Sequence, residues 1–254
     1  MFKTIKFLEW NIHGAAGYGN YSIPKFVADV ISIKDVDIAI LVEFINGCGL
    51  EYLKGTLEKK YCLFISPYMS GQNQILIAVK KRDGFNIDSI KICADMKTTK
   101  KDLPDFLQIE IPYNNHLVYF IGIRIRPGHD IISSQFESLN EHLASLPEES
   151  KCICSGDFNA FHQYCVDNLL FLDSEILPNW SNHKEEFSYI HKNGKMVQLD
   201  HIMFKNVLIK DKEVHYLWNF INKENGYGNL RPEEYKSFLI GLPDHAFLNT
   251  KIVL

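Results

Sequence analysis

The chain has 254 residues, of which 46% are hydrophobic and 23% are charged, and its formal net charge is −4. This composition predicts a globular protein, here a single domain over residues 1–254, and excludes an intrinsically disordered chain. The negative net charge argues against nucleic-acid binding through a broad positively charged surface, although it is compatible with a local basic patch. The sequence has no run of 18 apolar residues, so it predicts no membrane span.

Short apolar runs predict the strands, and apolar residues three to four positions apart predict the helices. In the first half of the chain, strands are predicted at 4–10, 36–42, 61–66, 74–80, 85–93, 106–111 and 116–125, and helices at 23–33 and 50–57. In the second half, a helix is predicted at 131–146, and strands at 151–157, 186–191, 197–204, 207–216 and 246–254. The Asn114-Asn115 pair favours a hairpin turn, and Pro232 favours a helix over 232–239.

The predicted elements form two blocks of strands, each with one or two helices, and no linker separates the blocks. This order predicts an α/β fold in which two mixed, mostly antiparallel sheets pack face to face with helices on the outside, a four-layer α/β sandwich.

Cysteine usage indicates the redox environment. The chain contains Cys48, Cys62, Cys93, Cys152, Cys154 and Cys165, without a Cys-x-x-Cys pair. Cys152 and Cys154 alternate along one predicted strand, a geometry too strained for a mutual disulfide. We therefore expect buried thiols in a reducing compartment, with a zinc cluster as the alternative. Charged residues stand where a signal peptide requires an apolar stretch, so a cytoplasmic location is predicted.

Polar side chains stand where several predicted strands begin or end. They are Asn11, Glu43, Asp157 with Asn159, Asp200 with His201, and Asp244 with His245. Any one of them could simply cap a strand, but strand ends are rigid and can place polar groups accurately. Five such positions, which carry oxygen ligands and one terminal histidine, favour a shared site.

The run Ser155-Gly156-Asp157-Phe158-Asn159 follows a strand that is predicted to be buried. Its glycine permits a sharp turn, and a separation of two residues places Asp157 and Asn159 on one face of an extended chain. A carboxylate can hold or deprotonate a water, and a carboxamide can donate to a phosphate oxygen without adding charge. The pair therefore predicts a site that cleaves phosphodiesters.

The ordered set of short motifs resembles the endonuclease/exonuclease/phosphatase superfamily, the family of exonuclease III, deoxyribonuclease I and the inositol polyphosphate 5-phosphatases. The motifs are Trp10-Asn11-Ile12, Val42-Glu43, Gly156-Asp157-Phe158-Asn159, Leu199-Asp200-His201-Ile202 and Pro243-Asp244-His245. They follow the family's order from residue 10 to residue 245. The resemblance implies the four-layer sandwich and the hydrolysis of phosphoesters.

The resemblance also implies a metal site. Glu43 would be the main Mg²⁺ ligand, with Asn11 supporting it and Asp244 assisting. One or two carboxylates suit an ion that keeps several of its waters. Mn²⁺ could substitute for it.

The remaining motif residues would carry out the reaction. Asp157 would orient and deprotonate the attacking water, and Asn159 would hold that water or a phosphate oxygen. His245 would stabilise the charge that develops on the phosphate. Asp200 would accept a hydrogen bond from His245, which fixes its tautomer and favours its cation.

Arg124 departs from the family's pattern, because most members have a histidine, and some a tyrosine, at the end of that strand. Arginine can bind phosphate bidentately but cannot donate its proton at neutral pH. We therefore predict that Arg124 contacts phosphate, with a surface ion pair as the alternative, and His129 could substitute for the missing histidine. His201 faces away from Asp200 by strand alternation and is predicted to be structural.

The resemblance and the chain length favour a Mg²⁺-dependent nuclease that acts on DNA as a monomer, without an obligate protein partner. The first alternative is a phosphatase or phosphodiesterase acting on a small molecule or a phospholipid headgroup, which the acidic net charge fits better. The second is a non-catalytic member that binds nucleic acid or protein. The presence of all the other motif residues argues against it. The sequence does not decide whether the substrate is DNA or RNA, or whether the protein acts as an endonuclease or an exonuclease.

Overall fold

The computed structural model describes residues 4–12, 23–47, 49–69, 73–113, 116–172, 187–191, 195–209, 214–218 and 243–254. These residues form β1 (Thr4–Asn11), α1 (Lys25–Lys34), β2 (Ile38–Phe44), α2 (Leu50–Leu57), β3 (Tyr61–Ile65), β4 (Gln74–Lys80), β5 (Lys91–Cys93), β6 (Asp105–Tyr113), β7 (His116–Arg124), α3 (His129–Ala144), β8 (Lys151–Asp157), α4 (His162–Asn168), β9 (Tyr189–Ile190), β10 (Met196–Val197), β11 (Asp200–Lys205), β12 (Leu208–Ile209), β13 (His215–Leu217) and β14 (Phe247–Val253).

Two sheets form the centre of the fold. The larger has the strand order β12-β14-β1-β2-β4-β3, with β13 also paired to β14, and the smaller has the order β11-β8-β7-β6-β5. The pairs β1–β2 and β7–β8 are parallel, and α1 and α3 are the helices in their connections, as parallel neighbours require. The remaining pairs in both sheets are antiparallel.

Strand alternation divides the apolar side chains among three cores. The core between the sheets includes Phe7, Ile40 and Phe120. A second core packs the outer face of the larger sheet against α1 and α2, and a third packs the outer face of the smaller sheet against α3 and α4. This is the predicted α/β sandwich of two mixed sheets with outer helices.

Several predicted elements differ from those observed. The predicted strand 85–93 contains a 3-10 turn at Ile87–Ser89 and becomes a strand only at Lys91–Cys93. The predicted strand 197–204 is divided between β10 and β11. Helix α4 was not predicted, because Cys165 is its only buried side chain and no apolar stripe marks it. The Asn114-Asn115 turn and the helix over 232–239 lie outside the described residues.

Within the described ranges, Cys62, Cys93, Cys152, Cys154 and Cys165 are free thiols, and the last three are buried. The predicted burial of the Cys152 and Cys154 thiols is confirmed. Burial raises the pKa of Cys152 to about 12, so its thiol is protonated at neutral pH. Among the described residues, no helix combines the length and the apolar character needed to cross a membrane.

His142 lies on the buried face of α3 and predicts how stability depends on pH. Its Nδ1 accepts a hydrogen bond from the backbone N–H of Lys97 at 3.0 Å, and its Nε2 is 2.9 Å from Gln108 Oε1. This pairing suits the neutral imidazole. Burial and Lys97 lower the pKa of His142 from its ordinary 6.5 to about 4. Between these two pH values the imidazole is protonated in the unfolded chain but not in the folded chain. The free energy of unfolding therefore falls as the pH drops from 6.5 to 4.

His142→Asn keeps an acceptor for the Lys97 N–H but cannot be protonated. The free energy of unfolding of the wild type should fall by on the order of 3 kcal/mol more than that of the variant between these two pH values. Urea unfolding at several pH values measures this difference. Equal slopes for the two proteins would contradict the assignment of a neutral His142.

Candidate functional site

Four polar side chains form a row across one end of the smaller sheet. Asp105 on β6 pairs with Arg124 on β7, Arg124 pairs with Asp157 on β8, and Asp157 pairs with Asp200 on β11. Directly paired residues project from the same face of a sheet. Alternation from Phe120, which packs in the core between the sheets, turns this face toward the larger sheet. The row therefore closes that core at one end.

Asn11 brings the larger sheet into the same site. It ends β1, on the face that Ile5 and Phe7 share in the core between the sheets. Its Nδ2 donates a hydrogen bond of 3.0 Å to Asp157 Oδ2, and both residues are buried. The two sheets are thus joined through a carboxylate that the sequence predicts to be catalytic.

Glu43 reaches the site because of an irregularity in β2. Ile40 and Val42 face the core between the sheets, so regular alternation would turn Glu43 to the outside. The register between β2 and β4 instead shifts between Leu41 and Phe44, and Phe44 packs in the outer core. Glu43 has φ +51°, which is uncommon for a glutamate and costs backbone energy. The bulge therefore aims Glu43 inward, where Arg124 contacts it.

Three hydrogen bonds hold the Asp157 carboxylate. Oδ1 accepts from the backbone N–H of Asn159 at 2.9 Å, and Oδ2 accepts from Nδ2 of Asn11 and Nδ2 of Asn159, each at 3.0 Å. Gly156 is required before it, because a Cβ there would lie 1.8 Å from the Ile123 carbonyl oxygen. Burial and the nearby Asp200 raise the pKa of Asp157 to about 7. A fixed carboxylate with this pKa is suited to accept a proton near neutral pH.

His245 is paired with Asp200. Nδ1 of His245 lies 2.7 Å from Asp200 Oδ2, and both side chains are buried. Burial alone would lower the pKa of His245, but Asp200, Asp157 and Asp244 outweigh it and raise the pKa to about 10. The ring is therefore an imidazolium at neutral pH. Its Nδ1–H donates to Asp200, while Nε2 lies 3.9 Å from Asp244 Oδ1.

Two aromatic residues fix the position of His245. The indole N–H of Trp10 donates to the His245 carbonyl oxygen at 3.0 Å, and the Tyr189 ring lies 4.6 Å from the imidazole ring. Trp10 belongs to the predicted motif, whereas Tyr189 was not predicted as a site residue. A two-residue strand with one tyrosine carries no sequence signal for this contact, since β9 reaches residue 245 only through the tertiary fold.

Arg124 is bound by two carboxylates. Its Nε donates to Glu43 Oε1 at 2.6 Å, and its Nη1 donates to Asp105 Oδ2 at 3.3 Å. The ion pairs are largely buried, unlike the surface ion pair that was the alternative for this residue. His129, the other candidate for this role, is fully exposed at the start of α3.

Two further acidic residues at the site were not predicted. Asp105 pairs with Arg124, and burial raises the pKa of Asp105 to about 6. Glu9 is fully buried on the inner face of β1, and its carboxyl oxygens make no hydrogen bond to the described residues. Burial and Asp200 hold the pKa of Glu9 well above its ordinary value. Strand alternation through Phe7 and Asn11 could have placed Glu9 here.

His201 lies apart from these residues, as predicted. Its Nε2 is 2.8 Å from the Ala160 carbonyl oxygen, and the neighbouring residue Met203 on the same face packs in the core under α3 and α4. Burial lowers the pKa of His201 to about 4, so its ring is neutral.

No protein-family model matches the chain, and no curated protein matches its sequence. Solved structures do match its fold. D. rerio TDP2 complexed with single strand DNA product is 13% identical, with 98% of this chain and 99% of that chain covered and a TM-score of 0.69. The endonuclease/exonuclease/phosphatase from Bacteroides vulgatus is 12% identical, with 98% of each chain covered and a TM-score of 0.67. ANGEL2, a 2',3'-cyclic phosphatase, is 12% identical, with 100% and 96% covered and a TM-score of 0.65.

The chain has the endonuclease/exonuclease/phosphatase fold. The likeness covers nearly the whole chain and confirms the architecture implied by the motifs. At these identities it establishes the fold alone, so the chemistry has to be argued from the site.

The metal site expected for the endonuclease/exonuclease/phosphatase fold can be compared with the donors present. Among the described residues, no three His, Cys, Asp or Glu side chains are grouped so as to hold a metal ion. Mg²⁺ needs only one or two carboxylates and keeps several waters, so the donor chemistry of Glu43, Asp244 and the Asn11 amide fits it. Arg124 already contacts Glu43, and a metal ion there would have to share or displace this guanidinium.

Proposed function

We propose that the chain is a metal-dependent hydrolase of phosphoesters and that its substrate is nucleic acid, in the first place DNA. The observation that carries the proposal is the pairing of His245 with Asp200 at 2.7 Å, on the strand next to the Asp157 carboxylate. A proton acceptor on β8 is thereby fixed beside the carboxylate on β11 that holds the imidazolium cation. Hydrolysis of a phosphate ester can use both groups, because a proton leaves the water while negative charge builds up on the phosphate.

Each of the chain's own site residues would carry out one part of the reaction. Asp157 takes a proton from a water whose oxygen forms the new bond to phosphorus, and the bond between phosphorus and the leaving oxygen breaks. The imidazolium of His245 donates a hydrogen bond to a phosphate oxygen. Asn159 donates through Nδ2 to Asp157 and to the Ile125 carbonyl oxygen, so we propose that it orients Asp157.

A divalent metal would be held by Glu43 with Asn11 and Asp244, and it would neutralise the phosphate and the leaving oxygen. The geometry of Glu43 supports this role, because the bulge in β2 turns its carboxylate toward the same space as Asp157 and Arg124.

Two observations support nucleic acid as the substrate. The motifs resemble those of deoxyribonuclease I and related nucleases, and one structure of the same fold, that of D. rerio TDP2, holds a single-strand DNA product. The net charge of −4 favours a second candidate, a phosphatase or phosphodiesterase of small molecules. ANGEL2, described as a 2',3'-cyclic phosphatase, shows that this fold also serves other phosphoesters.

The test is a cleavage panel of plasmid, linear duplex DNA, single-stranded DNA and RNA, each with Mg²⁺, Mn²⁺ or EDTA. Inositol phosphates and p-nitrophenyl phosphate represent the small substrates, and a variant without the Asp157 carboxylate controls for contaminating nucleases. Cutting of a polymer that requires metal and is absent in the variant supports the proposal. Turnover of small substrates alone would replace it with the second candidate. Metal-independent binding without turnover would identify a non-catalytic protein.

A further inference from the structure

The guanidinium of Arg124 connects carboxylates from the two facing sheets. Glu43 comes from β2 of the larger sheet and Asp105 from β6 of the smaller sheet. The side chains of Arg124, Glu43 and Asp105 are 15%, 8% and 0% exposed. Glu43, Asp157 and Asp105 together raise the pKa of Arg124 against the effect of its burial. The residue is therefore a permanent cation within the proposed metal site.

The two ion pairs differ in geometry. The contact with Glu43 is short, at 2.6 Å, whereas the contact with Asp105 is long, at 3.3 Å. The backbone N–H of Asn73 is a second neighbour of the Asp105 carboxylate. The long contact leaves the pair of Arg124 and Asp105 room to shorten, and arginine can engage both oxygens of one carboxylate through its fork. Asp105 thus offers the guanidinium a second, bidentate position.

We propose that Arg124 shares Glu43 with the divalent metal and that Asp105 is the positioning residue onto which the guanidinium moves when the metal takes Glu43. The inference rests on the proposed function, because it takes Glu43 as the metal ligand. A guanidinium and a divalent ion on one carboxylate repel each other strongly at low dielectric. A phosphate that binds the released guanidinium offsets this repulsion, so metal and phosphate each strengthen the binding of the other.

Mn²⁺ binding, followed by the paramagnetic resonance signal of the free ion, tests the proposal without any turnover. Arg124→Gln removes the competing cation and is expected to tighten Mn²⁺ binding roughly ten-fold or more. Glu43→Gln is expected to abolish this binding and so identifies the site. Arg82→Gln is the matched control, because Arg82 pairs with Asp37 at the other end of β2. It should change the affinity by less than about two-fold, since distant sites act independently.

Asp105→Asn is expected to change the affinity in the opposite direction. Without its second position the guanidinium stays on Glu43, and Mn²⁺ should bind roughly three-fold or more weakly. The effect should disappear in the double variant with Arg124→Gln, because Asp105 acts through Arg124. Thermal unfolding of each variant establishes that it is folded.

A second experiment adds inorganic phosphate and keeps Asp105 unchanged. The phosphate should tighten Mn²⁺ binding by the wild type more than by Arg124→Gln. Unchanged or weaker Mn²⁺ binding by Arg124→Gln would overturn the inference and leave the proposed function standing, since the cleavage panel tests that function separately. The absence of Glu43-dependent binding in both the wild type and Arg124→Gln would overturn the inference and the metal site of the proposed function together.

Discussion

Replacement of Asp157 by asparagine is expected to lower kcat by about 10³-fold, near the middle of the range for loss of a general base. The amide has the same shape and can still accept the hydrogen bonds from Asn11 and Asn159 through its oxygen, but it cannot take a proton from water. Steady-state kinetics on the best substrate from the cleavage panel gives the loss.

Stability should hardly change in Asp157→Asn. One hydrogen bond is lost, but the repulsion between Asp157 and Asp200, which helps to raise the pKa of Asp157, is also removed. The two effects are each on the order of 1 kcal/mol and oppose each other. Asp37→Asn is the matched control, because Asp37 is a buried, ion-paired aspartate at the other end of β2. It should lower stability and leave kcat unchanged, and a comparable loss of kcat in this control would contradict the role of Asp157.

The pKa of Asp157 also predicts the acidic side of the pH profile. With a pKa of about 7, the carboxylate is progressively protonated as the pH falls, so kcat/KM of the free enzyme should decrease below that value by about ten-fold per pH unit. The residual activity of Asp157→Asn should lack this dependence. An unchanged acidic limb in the variant would show that another group is the base.

The second large effect is expected for Asp200→Asn, which should lower kcat/KM by about 10²- to 10³-fold at pH 8. Asp200 is the main group that opposes the effect of burial on the pKa of His245. Without it, burial lowers this pKa, and the imidazole loses its proton at a much lower pH. The donor to the phosphate is thereby lost at the pH of the assay.

The sign of this change is tested by the alkaline side of the profile. In the wild type, activity should fall only as the pH rises through about 10, the pKa of His245, and in Asp200→Asn the fall should begin at a lower pH. Nuclear magnetic resonance of the His245 ring protons measures the same pKa directly. His245→Gln serves as the comparison, since it should show a similar loss of activity without the alkaline limb. An alkaline limb that stays near pH 10 in Asp200→Asn would disprove the role of this pair.

Local patterns in the sequence were enough to predict the architecture and most of the strand ends. The apolar runs around residues 40, 120 and 153 and the helical spacing before residue 146 reflect burial on one or two faces, which depends on neighbouring residues in the chain. The hydrophobic pattern did not predict the correct element where a segment buries few side chains or where its burial is interrupted. Helix α4 buries only Cys165, and the predicted strand 85–93 contains a 3-10 turn.

The sequence by itself determined the kinds of chemical group at this site and their order along the chain: amide, carboxylate, carboxylate with amide, a further carboxylate, and carboxylate with histidine. The tertiary structure decided how these groups pair. The bulge in β2 turns Glu43 inward against its alternation, and Asn11 and Glu43 meet partners that lie 146 and 81 residues away. Such contacts follow from the packing of one sheet on another, which periodicity does not encode. For the same physical reason the partners of Arg124 were visible only in the folded chain.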